Sequence, residues 1–197
     1  MRTGRLEAFS DGVVAILITI MVLELKVPEG HGWAALKPLG PILASYLLSF
    51  VYLAIYWNNH HHLFQVTERV TGAILWANLH LLFWLSLVPF ATIWMGENHR
   101  AAVPTVVYGV VLNMAGTAYF ALSRVIIRSE GSESVVARAI GTDRKGVVSL
   151  ALYLVSIGAA AIDPWISDAI FVIVAVIWLV PDRRIERFLL VEIGPES

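Results

Sequence analysis

A chain of 197 residues in which 58% are hydrophobic and only 15% charged is more apolar than a water-soluble domain of that length, and a mean hydropathy of +0.74 points to an integral membrane protein. The net charge of −1 carries no signal for a nucleic-acid partner, and a chain without cysteine has neither a disulfide framework nor a thiolate metal site. Basic residues ahead of the first apolar run imitate a secretory signal, but the segment after that run, LELKVP at 23–28, lacks a small-residue cleavage site. It is expected to remain as the first membrane span.

In chain order, apolar segments divided by polar punctuation predict six transmembrane helices, at about 5–27, 38–60, 71–96, 102–127, 146–162 and 165–181. The third and fourth are long and rich in Leu, Val and aromatic residues; the fifth and sixth are shorter and turn tightly at Asp163-Pro164. Only 128–145, where Ser, Glu, Arg and Gly cluster, has the composition of a water-exposed loop. No internal repeat or low-complexity tract is visible. The expected fold is therefore all-α, one polytopic domain over 1–197 with no appended enzyme.

With six spans, Arg2, Arg5, Arg69, Arg124, Arg128, Arg138, Arg144, Lys145, Arg183, Arg184 and Arg187 fall on the side of the termini, and Lys26, Lys37 and Arg100 on the other. Eleven basic residues against three place both termini in the cytoplasm of a multi-pass cell-membrane protein.

The first span poses a problem of length. Between Asp11 and Glu24 lie twelve residues, roughly 18 Å of helix against a hydrocarbon core of ~30 Å. Extending the helix back to Arg5 makes it long enough but sinks Ser10 and Asp11 below the interface, where an ionisable group needs a partner or water. On a helical wheel Ile16, Ile20 and Leu23 lie within about 60° of one another, Asp11 about 140° from Ile16, and Ser10 about 120° away on the other side. One face is aliphatic, bordered by Thr19, and the back is polar.

The second span offers groups to meet that back. Ser45, Ser49, Tyr52, Tyr56 and Asn59 recur at three- and four-residue steps, and the span ends in YWNNHHHLF at 56–64, rich in donors at the depth of Ser10 and Asp11. A network joining Asp11 to Trp57, His60 or His61 is expected.

These residues carry a resemblance. Arg5, then Phe9-Ser10-Asp11 and an Ile/Leu/Thr-rich helix, with Trp57, the pair His60-His61 and Phe64 on the second span and LVPFAT at 87–92 on the third, resemble the transmembrane protein 175 family of potassium channels in its short prokaryotic form. The resemblance implies a homotetramer in which each copy sets its first helix around a central axis. It further implies that Ile16 forms the constriction, with Thr19 adjacent and Ile20 and Leu23 further out, and that Arg5, Phe9, Ser10 and Asp11 with Trp57, His60 and His61 buttress the pore helix. The permeant partner is potassium, and no cofactor is expected.

An Ile/Leu stripe at helical spacing is by itself ordinary helix packing, so the pore assignment belongs to the resemblance. The sequence has no Thr-Val-Gly-Tyr-Gly filter, and a ring of isoleucines offers an ion no ligand, so it must dewet as a closed gate or widen to pass a partly hydrated ion. Such a neck favours potassium weakly to moderately, because potassium gives up water more readily than sodium.

Other features have plainer readings. His60, His61 and His62 point about 100° apart on a helix and suit a hydrogen-bonding cluster better than a metal site. His80 reads as a satisfied core histidine, Asp163 and Asp168 as caps beside Pro164, and Gly109, Ala115, Gly116 and Ala118 as small residues for close helix packing. Glu24 and Glu29 read as solvated charges at the outer mouth. The competing function is a secondary or proton-coupled transporter using Asp11, His60 and His80. No nucleophile elbow or HExxH spacing supports an enzyme.

Overall fold

The computed structural model describes residues 3–141 and 143–179, and all regular structure within them is helical. The helices are α1 (Thr3–Leu23), α2 (Gly40–Gln65), α3 (Gly72–Ser86), α4 (Val88–Glu97), α5 (Ala102–Glu130), α6 (Val135–Ile140), α7 (Arg144–Ala159) and α8 (Pro164–Leu179), with a 3-10 turn at Trp33–Leu39 leading into α2. Local chemistry sets many of the ends. Thr71 caps α3 by accepting from the Ile74 N–H at 3.3 Å, Ser134 caps α6 through Ala137 at 3.2 Å, and Asp143 caps α7 through Gly146 at 2.8 Å. Gly131, at φ 103°, closes α5.

Four apolar helical stretches are long enough to cross a bilayer: Thr3–Leu23, Trp33–Gln65, Gly72–Glu97 and Ala102–Glu130. That is fewer than the six expected, because α7 and α8, at 16 residues each, span only about 24 Å as described. Residues 180 and 181 of the sixth predicted segment, and the basic residues Arg2, Arg183, Arg184 and Arg187, lie outside the described residues. The first helix stops at Leu23 rather than 27; beyond it Lys26 donates to Glu97 Oε1 at 2.7 Å, a hydrogen bond and charge pairing that hold its ammonium above the usual lysine pKa. The third segment is interrupted at Leu87, since Pro89 has no N–H for the Leu85 carbonyl one turn before it.

Neighbours in space follow a simple plan. α5 lies against α3, α4 and α7; α2 against α4 and α1; and α7 against α8, so α1 sits on one flank of the bundle, on α2, α3 and α4. Small residues let the backbones approach. A Cβ on Gly96 would meet the Ile42 Cα at 3.0 Å, one on Gly109 would meet Ile157 and Phe171, one on Gly116 would meet Leu150, and Ala115 and Ala118 are fully buried.

Gly96→Val should therefore destabilise the fold by about 1–3 kcal/mol, because the obstacle is the backbone of α2 rather than a movable side chain. A thermal melt in detergent micelles tests this against Gly158→Ala, where the added methyl meets open space and no loss is expected.

Candidate functional site

Along α1 two faces separate. Leu6, Ser10, Val14, Leu17 and Met21, at three- and four-residue steps, are buried against the rest of the bundle. On the opposite side Arg5, Phe9, Gly12, Thr19 and the three aliphatic residues stand clear, with Ile16 57%, Ile20 41% and Leu23 80% exposed. The Thr19 hydroxyl donates to the Ile16 carbonyl of its own helix at 2.9 Å, which leaves its lone pairs on the exposed side.

Behind this face α1 is tied to its neighbours by polar contacts. Ser10 gives its one proton to the Leu6 carbonyl at 2.9 Å, so its oxygen can only accept from Asn78 Nδ2, 3.0 Å away. That orientation turns Asn78 Oδ1 toward His60 Nε2 at 2.8 Å and requires His60 to carry its proton there. All three side chains are buried, Asn78 completely. A step outward from this buried chain, Trp57 Nε1 donates to Asp11 Oδ1 at 2.9 Å. One turn before Ser10, Glu7 Oε1 meets His61 Nδ1 at 2.6 Å; the other His61 nitrogen faces Gln65 at 2.9 Å, and the Trp57 ring stacks on the imidazole at 12°. Glu7, Ser10 and Asp11 thus occupy the i, i+3 and i+4 positions of one helix face.

Several expectations need correction. Asp11 pairs with Trp57 alone among its three proposed partners; His60 is taken by Asn78 and His61 by Glu7, because successive histidines on α2 point in different directions. Arg5 and Phe9 are exposed, Phe9 by 52%, and stand outside these ties. The hydrogen bonds of Ser49, Tyr52, Tyr56 and Asn59 go to elements other than α1. Ser49 bonds Tyr108 at 2.8 Å and Thr92 at 2.6 Å, Tyr52 donates to the Phe171 carbonyl at 2.7 Å, Tyr56 reaches the Leu112 carbonyl at 3.5 Å, and the Asn59 carbonyl accepts from Tyr119 at 3.1 Å. α2 therefore has two polar faces serving different neighbours. His80 lies on an outward face, where it accepts from Trp84 Nε1 at 2.9 Å, rather than in the core. Asp163 accepts from the Trp165 N–H at 3.0 Å, whereas Asp168 sits inside α8 and caps nothing.

Two members of the ties escaped the sequence reading. Asn78 was the one amide inside the third apolar segment, and Glu7 stood one turn before Ser10 on its face; a polar group carried to span depth was the available signal.

The family model described as "Endosomal/lysosomal potassium channel TMEM175" matches residues 5–89, the stretch that contains every one of these ties. A protein of Chryseobacterium sp. (strain P1-3) named a potassium channel is 54% identical over 189 residues, covering 96% of this chain and 98% of its own length. The chain belongs to the TMEM175 family. A potassium channel of Chamaesiphon minutus is 33% identical over 192 residues, and the human endosomal/lysosomal proton channel TMEM175 is 34% identical over 99 residues, which are 20% of its length. The crystal structure of a lysosomal potassium-selective channel TMEM175 homolog from Chamaesiphon minutus superposes with a TM-score of 0.80 at 30% identity, covering 92% of this chain and 97% of that one. TMEM175 proteins are ion channels rather than enzymes, and with its four apolar helices this member is a membrane protein.

Asn78→Ala should cost about 1–3 kcal/mol, since it strands the buried His60 donor, while Trp57→Phe, at the more open Asp11 contact, should cost about 0.5–1.5 kcal/mol. Thermal melts of the two variants in micelles measure the difference; equal losses would contradict the ranking.

Proposed function

We propose that this chain is a potassium-conducting channel whose pore is made when four copies gather the exposed face of α1 around one axis. The observation that carries this reading is the division of α1 itself: an aliphatic stripe left uncovered on one side and a set of polar ties holding the helix from behind on the other. An uncovered stripe alone suits lipid equally well. Pinning by Ser10, Asp11 and Glu7 is what a helix needs if its exposed side chains must keep a fixed radius. The names of the bacterial relatives support potassium as the permeant ion.

In this arrangement Ile16 forms the narrowest ring, Ile20 and Leu23 lie further out, and Thr19 borders the ring. A hydrophobic neck discriminates by dehydration rather than by coordination: closed, it expels water, and open, it passes an ion that sheds part of its shell. The Thr19 oxygens, whose protons are already given to the helix backbone, face the exposed side with lone pairs free to hold displaced water or a passing cation. Selectivity for potassium over sodium is then modest. α7 and α8 complete six spans, and the charge bias of the loops sets both termini in the cytoplasm of the cell membrane.

Ile16→Asn replaces the neck with amides that can substitute for water around sodium, so sodium permeability should rise relative to potassium. Planar-bilayer recording reads the reversal potential directly; an unchanged potassium-to-sodium ratio would remove Ile16 from the constriction. Saturable, coupled flux in place of single-channel currents would instead favour a carrier.

A further inference from the structure

We propose that the four-copy assembly argued above, on which this inference rests, is joined flank to flank: the α3 and α4 side of each copy receives the α2 side of the next, and His80 donates a hydrogen bond to the neighbour's Asn58 across the boundary. Both residues stand at span depth, His80 eight residues into α3 and Asn58 seven residues before the end of α2, about 12 and 10 Å from those helix ends. Both are exposed. His80 Nε2 accepts from Trp84 Nε1, which can only donate, so the imidazole proton sits on Nδ1. Neither that N–H nor the Asn58 carboxamide has a hydrogen-bond partner among the described residues.

A contact inside the chain fixes where these two groups emerge. The bond between His60 and Asn78 sets α2 and α3 side by side and level at those residues. Asn58 and His80 each lie two residues from that bond, so each stands about 3 Å further from the α2–α3 turn and points about 160° away from the bond round its own helix. They come out at one depth on opposite flanks, with α1 in front of both helices, tied to α2 through Asp11 and to α3 through Ser10. Rotation about an axis normal to the membrane leaves every depth unchanged and brings one flank of a copy against the other flank of the next. Groups matched in depth on opposite flanks are what such a ring joins.

A second pair shows the same match in shape. Leu47 shares the stripe of Asn58, eleven residues earlier and within about 20° of it, and is 62% exposed. On the other flank α1 and α4 leave an open cleft of about 550 Å³, lined by Leu17, Ile20, Phe90 and Ile93 among others. Gly96 lies against the backbone of Ile42, which levels α4 with α2. Leu47 is five residues from Ile42, about 7.5 Å toward the α2–α3 turn, and Ile93 and Phe90 are three and six residues from Gly96, about 4.5 and 9 Å in the same direction. A projecting leucine on one flank thus stands at the depth of a recess on the other. Acyl chains would cover Leu47 equally well, but they offer nothing to an imidazole N–H or a carboxamide.

The chain has no cysteine, so introduced pairs report the boundary directly. Asn58→Cys with His80→Cys, and separately Leu47→Cys with Phe90→Cys, are placed in the full chain, reconstituted in liposomes and oxidised with copper phenanthroline. Each double variant is expected to give covalent dimer, trimer and tetramer on a denaturing gel, at a yield about tenfold or more above its two single variants, because a heterologous contact never sets a residue against its own copy. The second pair decides the matter if the first variant fails to fold. No cross-link in a folded double variant, as a lipid-covered flank would give, or dimers from the single variants, overturns the assignment. Potassium flux of the unmodified protein is recorded alongside: flux without cross-links defeats the flanks and leaves the channel reading standing, whereas a covalent tetramer without flux upholds the flanks and defeats the channel reading.

Discussion

A bilayer interior supplies no water to a polar side chain, so every amide, hydroxyl or imidazole carried into it must find its partner on another helix or on its own backbone. The contact among Ser10, Asn78 and His60 is where this constraint shapes the molecule most. Ser10 has one proton and spends it on its own helix; Asn78 must then present its amide nitrogen to Ser10 and its oxygen to His60. Three helices are locked in azimuth by this chain of single allowed orientations. The azimuth of α1, and with it the direction in which Ile16, Ile20 and Leu23 face, follows from the same lock.

The second helix extends this logic to the whole bundle. Its face toward α1 and α3 carries Trp57, His60 and His61, while the other carries Ser49, Tyr52 and Tyr56 toward α4, α5 and α8. A helix with polar groups on two sides cannot rotate or slide without breaking bonds on both. α2 thus serves as the fixed post of the fold, with α1 held on one flank and the tyrosine-rich bundle built on the other. Glycine and alanine on α4 and α5 bring the backbones close enough for these short side chains to reach.

Membership of the TMEM175 family bears on the two flanks differently. The family model ends at residue 89 and so covers α1, α2, α3 and the polar ties among them. The tyrosine-rich flank of α5, α7 and α8 lies beyond it and is carried by full-length relatives and by the superposed crystal structure. The two flanks differ in chemistry as well: one pairs an aliphatic face with buried amide and imidazole, and the other fastens tyrosine hydroxyls to backbone carbonyls and a serine of neighbouring helices.

The sequence by itself determined the solvent, the helical class, the existence of each apolar segment, the family and the angle at which Ile16, Ile20 and Leu23 part from Ser10 and Asp11. All of these depend on composition, motif or helical period, which are local. What it did not determine was who meets whom. Periodicity set Tyr52 and Tyr56 on a polar stripe, but only the packed bundle decided that this stripe faces α5 and α8 rather than α1, and that His60 belongs to Asn78 rather than to Asp11. The break at Pro89 and the extension of α2 to Gln65 were likewise decided in three dimensions. A hydrogen bond depends on the position of two helices to within a few tenths of an ångström. That position comes from the sum of side-chain volumes between them, which no single segment of the chain contains.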